Sequence, residues 1–262
     1  MQVVRNSARE RLERGEPALG FGIRVARSVE IAKAMRAAGF DWLFIDLEHG
    51  AMSIETAAAL SLAGLDAGIA PLVRVPKGEY SLATRLLDNG ALGIVAPHVE
   101  TAGEAQAAVA ALRYPPLGHR AVYGSQPHFD YGKIATTELM AALNAATLVV
   151  VMVETARGID NADAIAAVDG IDALLVGTND LCVDLAIPGE LGHQHIADAY
   201  AAVIAACRRH AKWPGMGGVY DEALMRRYVG MGCRFLQAGG DLGFMMEAAA
   251  RRAAFLRGLA PG

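Results

Sequence analysis

Two carboxylates each follow a strongly apolar run, where a charged side chain is costly unless it has a partner. Glu154 follows Leu148 to Val153, and Asp180 follows the apolar residues that end at Val176. Carboxylate oxygens in this position suit a hard divalent cation such as Mg²⁺ or Mn²⁺. Each residue could instead cap the helix that begins just after it, and sequence position alone leaves both interpretations open.

An arginine, an aspartate and a histidine also follow apolar runs. Arg74 could bind an oxyanion or a carboxylate of a substrate, or it could form a salt bridge with a nearby acid such as Asp46. His49 lies three residues after Asp46. A carboxylate bonded to one ring nitrogen would leave the other as a general base. Alternatively, backbone groups could satisfy the histidine.

Imine chemistry is less favoured than metal chemistry because lysine is scarce. A Schiff-base enzyme needs a lysine in a desolvated pocket. The chain has four lysines, and none of them lies where a predicted strand would place it in such a pocket: Lys33, Lys77, Lys133 and Lys212. The chain also has no G-x-S-x-G or P-loop motif.

The elements that must position these residues are short apolar runs alternating with Ala-rich stretches of helical period. The runs predict buried parallel strands at 18–23, 42–46, 70–74, 93–96, 147–153, 173–176, 215–219 and 234–238. Helices are predicted at 28–38, 54–65, 80–89, 102–112, 137–144, 157–168, 195–210, 222–230 and 242–257. Four glycines before strands predict left-handed helix ends: Gly39, Gly90, Gly170 and Gly232.

This alternation predicts one α/β domain over residues 1–262, a single (β/α)8 TIM barrel. An open doubly wound sheet is the second choice, because no G-x-G-x-x-G follows any predicted strand. Residues 113–135 break the rhythm, and we expect them to form a long loop over the barrel mouth. His119 and His128 in this loop could then reach a substrate.

Composition narrows the function classes. The net charge of −4 gives no basic excess for nucleic acid, and no apolar run approaches the length of a membrane span. The N-terminus lacks the apolar segment of a secretory signal. The three cysteines are far apart and odd in number, which favours reduced thiols in a cytoplasmic protein.

Six motifs in order carry a resemblance to a known family. They are FIDLEHG (44–50), LVRVP (72–76), LLDNGALGIVAPHV (86–99), RYPPLGHR (113–120), VMVET (151–155) and VDGIDALLVGTNDL (168–181). The set resembles the HpcH/HpaI aldolases, metal-dependent class II pyruvate aldolases similar to 4-hydroxy-2-oxoheptanedioate aldolase. The resemblance extends from about residue 19 to the last predicted helix, and it implies a barrel of the phosphoenolpyruvate/pyruvate type.

The resemblance implies roles for the residues already singled out. Glu154 and Asp180 would ligate a divalent metal, Mg²⁺ or Mn²⁺ with Co²⁺ as a further candidate. Arg74 would hold the oxygen of the 2-oxo acid and of its enolate. His49, oriented by Asp46, would act in acid–base chemistry through a metal-bound water. The amides of Gly177, Thr178, Asn179 and Asp180 would receive the pyruvate carboxylate, and Glu48 and Asp88 would have supporting roles.

Two departures from the family pattern concern the pocket and not the fold. Met152 stands where the family usually has Gln. The usual G-P-x-D-L-[SA] motif is Gly177-Thr178-Asn179-Asp180-Leu181-Cys182 here, so the aspartate is retained.

The expected activity is therefore reversible cleavage of 4-hydroxy-2-oxo acids into pyruvate, or a related 2-oxo acid, and an aldehyde. One alternative is another carbon–carbon lyase or synthase of the wider citrate-lyase β and malyl-CoA lyase superfamily. A second is a non-catalytic protein that binds 2-oxo acids. The resemblance also implies a homo-oligomer, a trimer or hexamer, in which the apolar stripe of the last helix packs on a neighbour. That stripe could equally pack on the chain's own barrel.

Overall fold

Eight parallel strands close into a barrel in the computed structural model, which describes residues 4–259. Each strand pairs with the next along the chain, and the last pairs with the first. The bounds are Ala18–Ile23 (β1), Trp42–Asp46 (β2), Ala70–Arg74 (β3), Gly93–Ala96 (β4), Leu148–Val153 (β5), Ala173–Gly177 (β6), Trp213–Gly217 (β7) and Phe235–Gly240 (β8). The predicted TIM barrel is confirmed, and closure between β1 and β8 rules out the open sheet.

Twelve α-helices surround or flank the described strands. They are Ser7–Glu13 (α1), Glu30–Ala37 (α2), Ile54–Ala67 (α3), Tyr80–Asp88 (α4), Ala102–Leu112 (α5), Thr136–Ala146 (α6), Ala156–Asp160 (α7), Ala162–Ala166 (α8), Thr178–Asp184 (α9), Gln194–Arg209 (α10), Glu222–Met231 (α11) and Asp241–Arg257 (α12). The four glycines predicted at helix ends all have positive φ angles.

Four elements differ most from the sequence-based prediction. The helices α1 and α9 were not predicted, and the single helix expected at 157–168 is divided into α7 and α8 at Asn161. There the Asn161 side chain donates a hydrogen bond to the carbonyl of Glu100 (2.9 Å). The strand β7 begins at Trp213, two residues earlier than predicted, because Pro214 still accepts a hydrogen bond from the Arg234 amide (2.9 Å).

The strands alternate between two buried clusters, as the two-residue period of a strand requires. In β2, Leu43 and Ile45 pack outward against the helices, whereas Trp42 and Phe44 fill the barrel. Trp42 stacks on Phe235 of β8 at a ring separation of 4.2 Å and closes the lower part of the interior. The lower interior of the barrel is therefore packed with side chains, and the cavity described below opens at its upper end.

The same alternation points polar residues into the barrel mouth. Asp46 continues the inward series of Trp42 and Phe44, Arg74 continues that of Leu72, and Glu154 continues that of Met152. These residues lie at the carboxyl ends of β2, β3 and β5, and TIM-barrel chemistry takes place at this end of the strands.

The long segment 113–135 lies at the opposite end from the one predicted. Arg113 donates hydrogen bonds to the carbonyls of Thr147 and Gly170, which precede β5 and β6. His128 contacts the carbonyl of Ala91, before β4 (3.1 Å). The prediction of a loop over the mouth was wrong because this segment joins a helix, α5, to the next helix and strand. Such connections lie at the amino ends of the strands, so His128 does not reach the site.

No helix among residues 4–259 combines the length and the apolar character that a membrane crossing needs.

Candidate active site

The salt bridge between Arg74 and Asp46 forms one wall of the barrel mouth. Arg74 donates from Nε to Asp46 Oδ1 (3.0 Å) and from Nη2 to Oδ2 (2.7 Å), and both side chains are buried. Burial alone would raise the pKa of Asp46, but the hydrogen bonds and charge of Arg74 outweigh it and lower that pKa. Asp46 therefore stays ionised and fixes the guanidinium, while Arg74 keeps N–H groups for a further oxyanion.

Glu48 extends this network, and His49 lies beside it. Arg74 Nη1 is 3.0 Å from Glu48 Oε2, and His49 Nε2 is 3.9 Å from the same oxygen. Asp46 accepts a hydrogen bond from the backbone N–H of His49 (3.2 Å) but does not hold its ring, so the predicted orientation of the imidazole by Asp46 was wrong. The reason is that both oxygens of Asp46 are already used, Oδ1 by Arg74 and the backbone amides of Glu48 and His49, and Oδ2 by Arg74 and Arg24. The imidazole is half exposed at the cavity.

Glu154 presents one oxygen that no described residue binds. Its side chain is only 1% exposed, and its Oε1 is buried without a hydrogen-bond partner. Gly177 allows this approach, because a Cβ at that position would collide with the Glu154 carboxylate. Burial raises the pKa of Glu154, and the nearby negative charge of Asp180 raises it further. A buried, electron-rich oxygen beside a second carboxylate fits a divalent cation.

His98, just after β4, connects Glu154 to Glu48. Its backbone N–H donates to Glu154 Oε2 (2.8 Å), and its ring Nδ1 is 3.1 Å from the same oxygen. The other ring nitrogen is 3.3 Å from Glu48 Oε1. His98 has a left-handed backbone (φ 52°), which is uncommon for a residue other than glycine. This conformation brings the backbone N–H and the ring Nδ1 of His98 to the same oxygen of Glu154.

The first turn of α9 contributes through its backbone and its aspartate. The Thr178 hydroxyl donates to the carbonyl of Gly217 (2.7 Å) and lies 2.8 Å from the Tyr200 hydroxyl, so it is buried and structurally occupied. Asn179 donates to the carbonyl of Gly218 (3.4 Å) and is exposed. Asp180 is exposed toward the cavity that Glu154 also lines.

These side chains surround a cavity of about 200 Å³. Phe44 and Met152 form its apolar part, and the Arg74 guanidinium lies over the Phe44 ring (5.1 Å). The residues predicted from sequence to form the site reach this region together, and most of them line the cavity directly: His49, Arg74, Glu154, Gly177, Thr178, Asn179 and Asp180. Asp46 lies directly behind Arg74. Among residues 4–259, no group of three His, Cys, Asp or Glu side chains is arranged around a common point for a metal ion.

Sequence reasoning missed several residues of this region, although the two-residue alternation of the strands signals one of them. Gln237 follows Phe235 on the inward face of β8 and lines the cavity. His98 follows β4, and its left-handed backbone has no clear signature in the sequence. Arg24 and Tyr220 follow β1 and β7 and also line the cavity. Glu48, which the family resemblance gave a supporting role, contacts both Arg74 and His98.

Comparisons with known proteins find relatives along most of the chain. A 4-hydroxy-4-methyl-2-oxoglutarate aldolase from Chaetomium globosum is 39% identical over 233 residues, which cover 87% of each chain. A 5-keto-4-deoxy-D-glucarate aldolase from Shigella dysenteriae serotype 1 is 38% identical over 211 residues, 80% of this chain and 81% of the relative. The crystal structure of an HpcH/HpaI aldolase from Desulfitobacterium hafniense DCB-2 is 29% identical and has a TM-score of 0.91, with 97% of each chain covered.

The family model for HpcH/HpaI aldolase/citrate lyase matches residues 25–248, which include the strand ends from β2 to β8 that form the site. With a closed barrel, a carboxylate pair at its mouth and relatives that match most of its length, this chain belongs to the HpcH/HpaI aldolase/citrate lyase family.

Proposed function

We propose that this chain is a divalent-metal-dependent aldolase that reversibly cleaves 4-hydroxy-2-oxo acids into pyruvate, or a related 2-oxo acid, and an aldehyde. The observation that carries the proposal is the unpartnered Oε1 of Glu154, buried beside Asp180 in the cavity that Arg74 lines. The relatives described above are named as aldolases, and membership of this family makes the chain a carbon–carbon lyase.

Glu154 and Asp180 are the residues that would hold the metal. Both offer carboxylate oxygens, which suit Mg²⁺ or Mn²⁺, and Co²⁺ is a further candidate. The bound cation would act as a Lewis acid toward the carbonyl of the 2-oxo acid. Glu154 can hold it firmly because His98 fixes the other carboxylate oxygen.

Arg74 would bind the C2 oxygen of the 2-oxo acid and stabilise the negative charge that develops there on cleavage. Asp46 holds Nε and Nη2 in place, so the guanidinium does not need to reorganise during the reaction. The backbone N–H groups of Thr178, Asn179 and Asp180 would receive the substrate carboxylate, since the first turn of a helix favours an anion.

His49 would move the proton in the cleavage direction. A ring nitrogen of His49 would take the proton from the C4 hydroxyl, and the C3–C4 bond would break as the C4 carbonyl forms. The electron pair would pass to C3 and give the enolate of the 2-oxo acid, which Arg74 stabilises. The half-exposed position of the imidazole suits a group that must exchange protons with solvent.

The helix α12 supports the proposal of a homo-oligomer, a trimer or a hexamer. It has no buried residue, and several large apolar side chains on it are exposed, including Phe244 (42%), Met246 (59%) and Phe255 (62%). An apolar surface of this kind on a 17-residue helix is typical of an interface between subunits. Light scattering coupled to size-exclusion chromatography would measure the subunit number.

The cysteines support a reducing compartment, and we propose the cytoplasm. Cys182, Cys207 and Cys233 are all free and buried. Burial raises the pKa of Cys207 and of Cys233 to about 12, so these thiols are protonated and unreactive.

A substrate panel tests the proposed activity. Protein stripped with a chelator would be given a series of 4-hydroxy-2-oxo acids, and the release of pyruvate would be followed before and after Mg²⁺, Mn²⁺ or Co²⁺ is added. We expect release only with metal. Turnover of citrate-like or malate-like acids alone would instead indicate another carbon–carbon lyase or synthase. Binding of pyruvate without turnover of any acid would indicate a non-catalytic binding protein.

A further inference from the structure

A second cavity of about 440 Å³ opens beside the first and extends toward β8 and α12. The two cavities share four lining residues: Arg24, Phe44, Tyr220 and Gln237. Glu154, Asp180 and Arg74 line the inner cavity alone. A substrate whose 2-oxo acid end occupies the inner cavity would therefore extend past these shared residues into the outer one.

The main chain at Arg24 is held rigidly. One oxygen of Asp241, the first residue of α12, accepts hydrogen bonds from the backbone N–H groups of Arg24 (3.0 Å), Val25 (2.8 Å) and Ala26 (2.7 Å). The carbonyl of Arg24 accepts a further bond from Arg27 (2.9 Å). A side chain on such a fixed backbone loses less entropy when it binds a ligand.

The charge of Arg24 is only partly matched by the protein. Its Nε donates to Asp46 Oδ2 (3.3 Å), an oxygen that also accepts the shorter bond from Arg74 (2.7 Å). This is the one hydrogen bond that the Arg24 side chain makes within residues 4–259, so both Nη groups are available. The side chain is 54% exposed and is the one cation among the described residues that line the outer cavity, whose acidic residues are Asp241 and Glu247.

Tyr220 and Gln237 add neutral hydrogen-bonding groups beside this cation. All three side chains line both cavities. Burial raises the pKa of the Tyr220 phenol, and the charge of Arg24 and a hydrogen bond with Gln237 act against that rise. The Gln237 oxygen accepts a bond from the Gly218 amide (3.3 Å), and the same side chain hydrogen-bonds with Tyr220, so this amide is held where it lines both cavities. Three donors around one opening suit a ligand that carries several acceptor oxygens.

We propose that Arg24 is a specificity-determining residue that binds a carboxylate on the carbonyl fragment, so that the chain prefers 4-hydroxy-2-oxo acids with a second carboxylate beyond C4. The proposal rests on the proposed function, because it places the 2-oxo acid end of the substrate at Glu154 and Arg74. Arg24 lies at the junction of the cavities, where the fragment released as the aldehyde would extend. Its planar pair of Nη groups matches the two oxygens of a carboxylate.

Matched acceptors test this in the direction of synthesis. Glyoxylate and glycolaldehyde both have two carbons, and only glyoxylate carries a carboxylate; 4-oxobutanoate and butanal form a longer pair. With pyruvate as donor and Mg²⁺ present, kcat/KM would be measured for each pair. In the variant Arg24→Met we expect the preference for the carboxylated aldehyde to fall by about tenfold or more, and in Arg24→Lys by less.

The control is Arg157→Met. Arg157 is an exposed arginine in α7 that pairs with Glu100 (3.5 Å) and lines neither cavity, so the same charge is removed at the same end of the barrel. We expect its preference to stay within about twofold of that of the parent protein. An equal fall in Arg157→Met, or an unchanged preference in Arg24→Met, would overturn the assignment.

A binding measurement covers the case in which Arg24→Met turns over neither aldehyde. Calorimetry with Mg²⁺ would compare 2-oxoglutarate with 2-oxopentanoate, which has the same length and no second carboxylate. The parent protein should bind 2-oxoglutarate more tightly, and Arg24→Met should lose that difference; equal affinities in the parent would refute the role of Arg24. A failure of the proposed function would look different from a failure of this assignment. In that case the parent protein itself would not catalyse exchange of the pyruvate methyl protons in D₂O, whichever metal is added.

Discussion

His98 holds one oxygen of Glu154 from two of its own atoms, the backbone N–H at 2.8 Å and the ring Nδ1 at 3.1 Å. The second oxygen of Glu154 is left without a partner among the described residues. The carboxylate is thereby oriented before any cation arrives, as partners of metal ligands commonly achieve. Because the same imidazole lies 3.3 Å from Glu48, and Glu48 lies 3.0 Å from Arg74, the carboxylate end and the arginine end of the site form one connected network.

Removal of the His98 ring should weaken metal binding. Glycine accepts the left-handed backbone, so His98→Gly deletes the ring without new strain and keeps the backbone bond. We expect the affinity for Mn²⁺, measured by calorimetry, to fall by about 10- to 100-fold. His98→Asn tolerates the same φ and returns a donor near Nδ1, so it should recover part of the loss. Equal affinity in His98→Gly and the parent protein would show that the ring does not position Glu154.

Replacement of either proposed metal ligand should abolish metal-dependent turnover without unfolding the chain. Burial raises the pKa of Glu154, so the neutral isostere in Glu154→Gln removes a costly buried charge and should not lower the melting temperature. Asp180 is exposed, and Asp180→Asn should also fold normally. Pyruvate release, calorimetry with Mn²⁺ and thermal melting would be measured for both variants. Full Mn²⁺ binding in either one would contradict the assignment of the ligands.

Arg74→Lys should reduce kcat more than it reduces stability. Lysine keeps the charge beside Asp46 but loses the two parallel hydrogen bonds that fix the guanidinium, and we expect kcat to fall by about 10²–10³. The matched control is Arg120→Lys, because Arg120 is also a buried arginine and pairs with Asp88 (2.6 Å) away from the cavity. Comparable losses of kcat in the two variants would indicate a structural role for Arg74.

The stability of the protein should fall as the pH decreases from about 6.5 to about 4, because His128 stays neutral in the folded chain over this range. Burial lowers the pKa of His128 from 6.5 to about 4. The unfolded chain then takes up the proton first, so stability is retained above pH 6.5 and is lost between about pH 6.5 and 4. The loss attributable to this residue is on the order of 2 kcal/mol at pH 5.

Urea unfolding at pH 7 and pH 5, at one protein concentration, measures this dependence. His128→Gln keeps a donor for the carbonyl of Ala91 and should reduce the difference between the two pH values. The same change at the exposed His119 should leave it as in the parent protein. If His128→Gln retains the full difference, another group is responsible for it.

Much of the fold was predictable because the barrel strands are short, apolar on both faces and separated by regular helices. The bounds of β1 through β4 match the prediction, and the four glycines predicted at helix ends all have positive φ angles, although α8 already ends at Ala166, before Gly170. The alternation of inward residues also explains why Asp46, Arg74 and Glu154 meet at the mouth. These features can be predicted from local sequence, because successive side chains of a strand always point to opposite faces of the sheet.

What the sequence left undetermined depends on contacts between distant residues. The three-residue spacing of Asp46 and His49 does not reveal that Arg74 takes both oxygens of Asp46. The placement of 113–135 depends on the end of the barrel at which the chain leaves α5. That helix runs from the carboxyl end of β4 back to the amino ends of the strands, so the segment lies at the amino ends. The left-handed backbone of His98 is stabilised by Glu154, 56 residues later in the chain.

Deuterium exchange at the methyl group of pyruvate tests the central claim most directly. The chelator-stripped protein would be incubated with pyruvate in D₂O, with and without Mg²⁺, Mn²⁺ or Co²⁺, and followed by proton NMR, while circular dichroism confirms that it is folded. Exchange that requires a metal, and that Glu154→Gln lacks, is the result we predict. Folded protein that binds pyruvate but gives no exchange with any metal would contradict the proposed enolate chemistry.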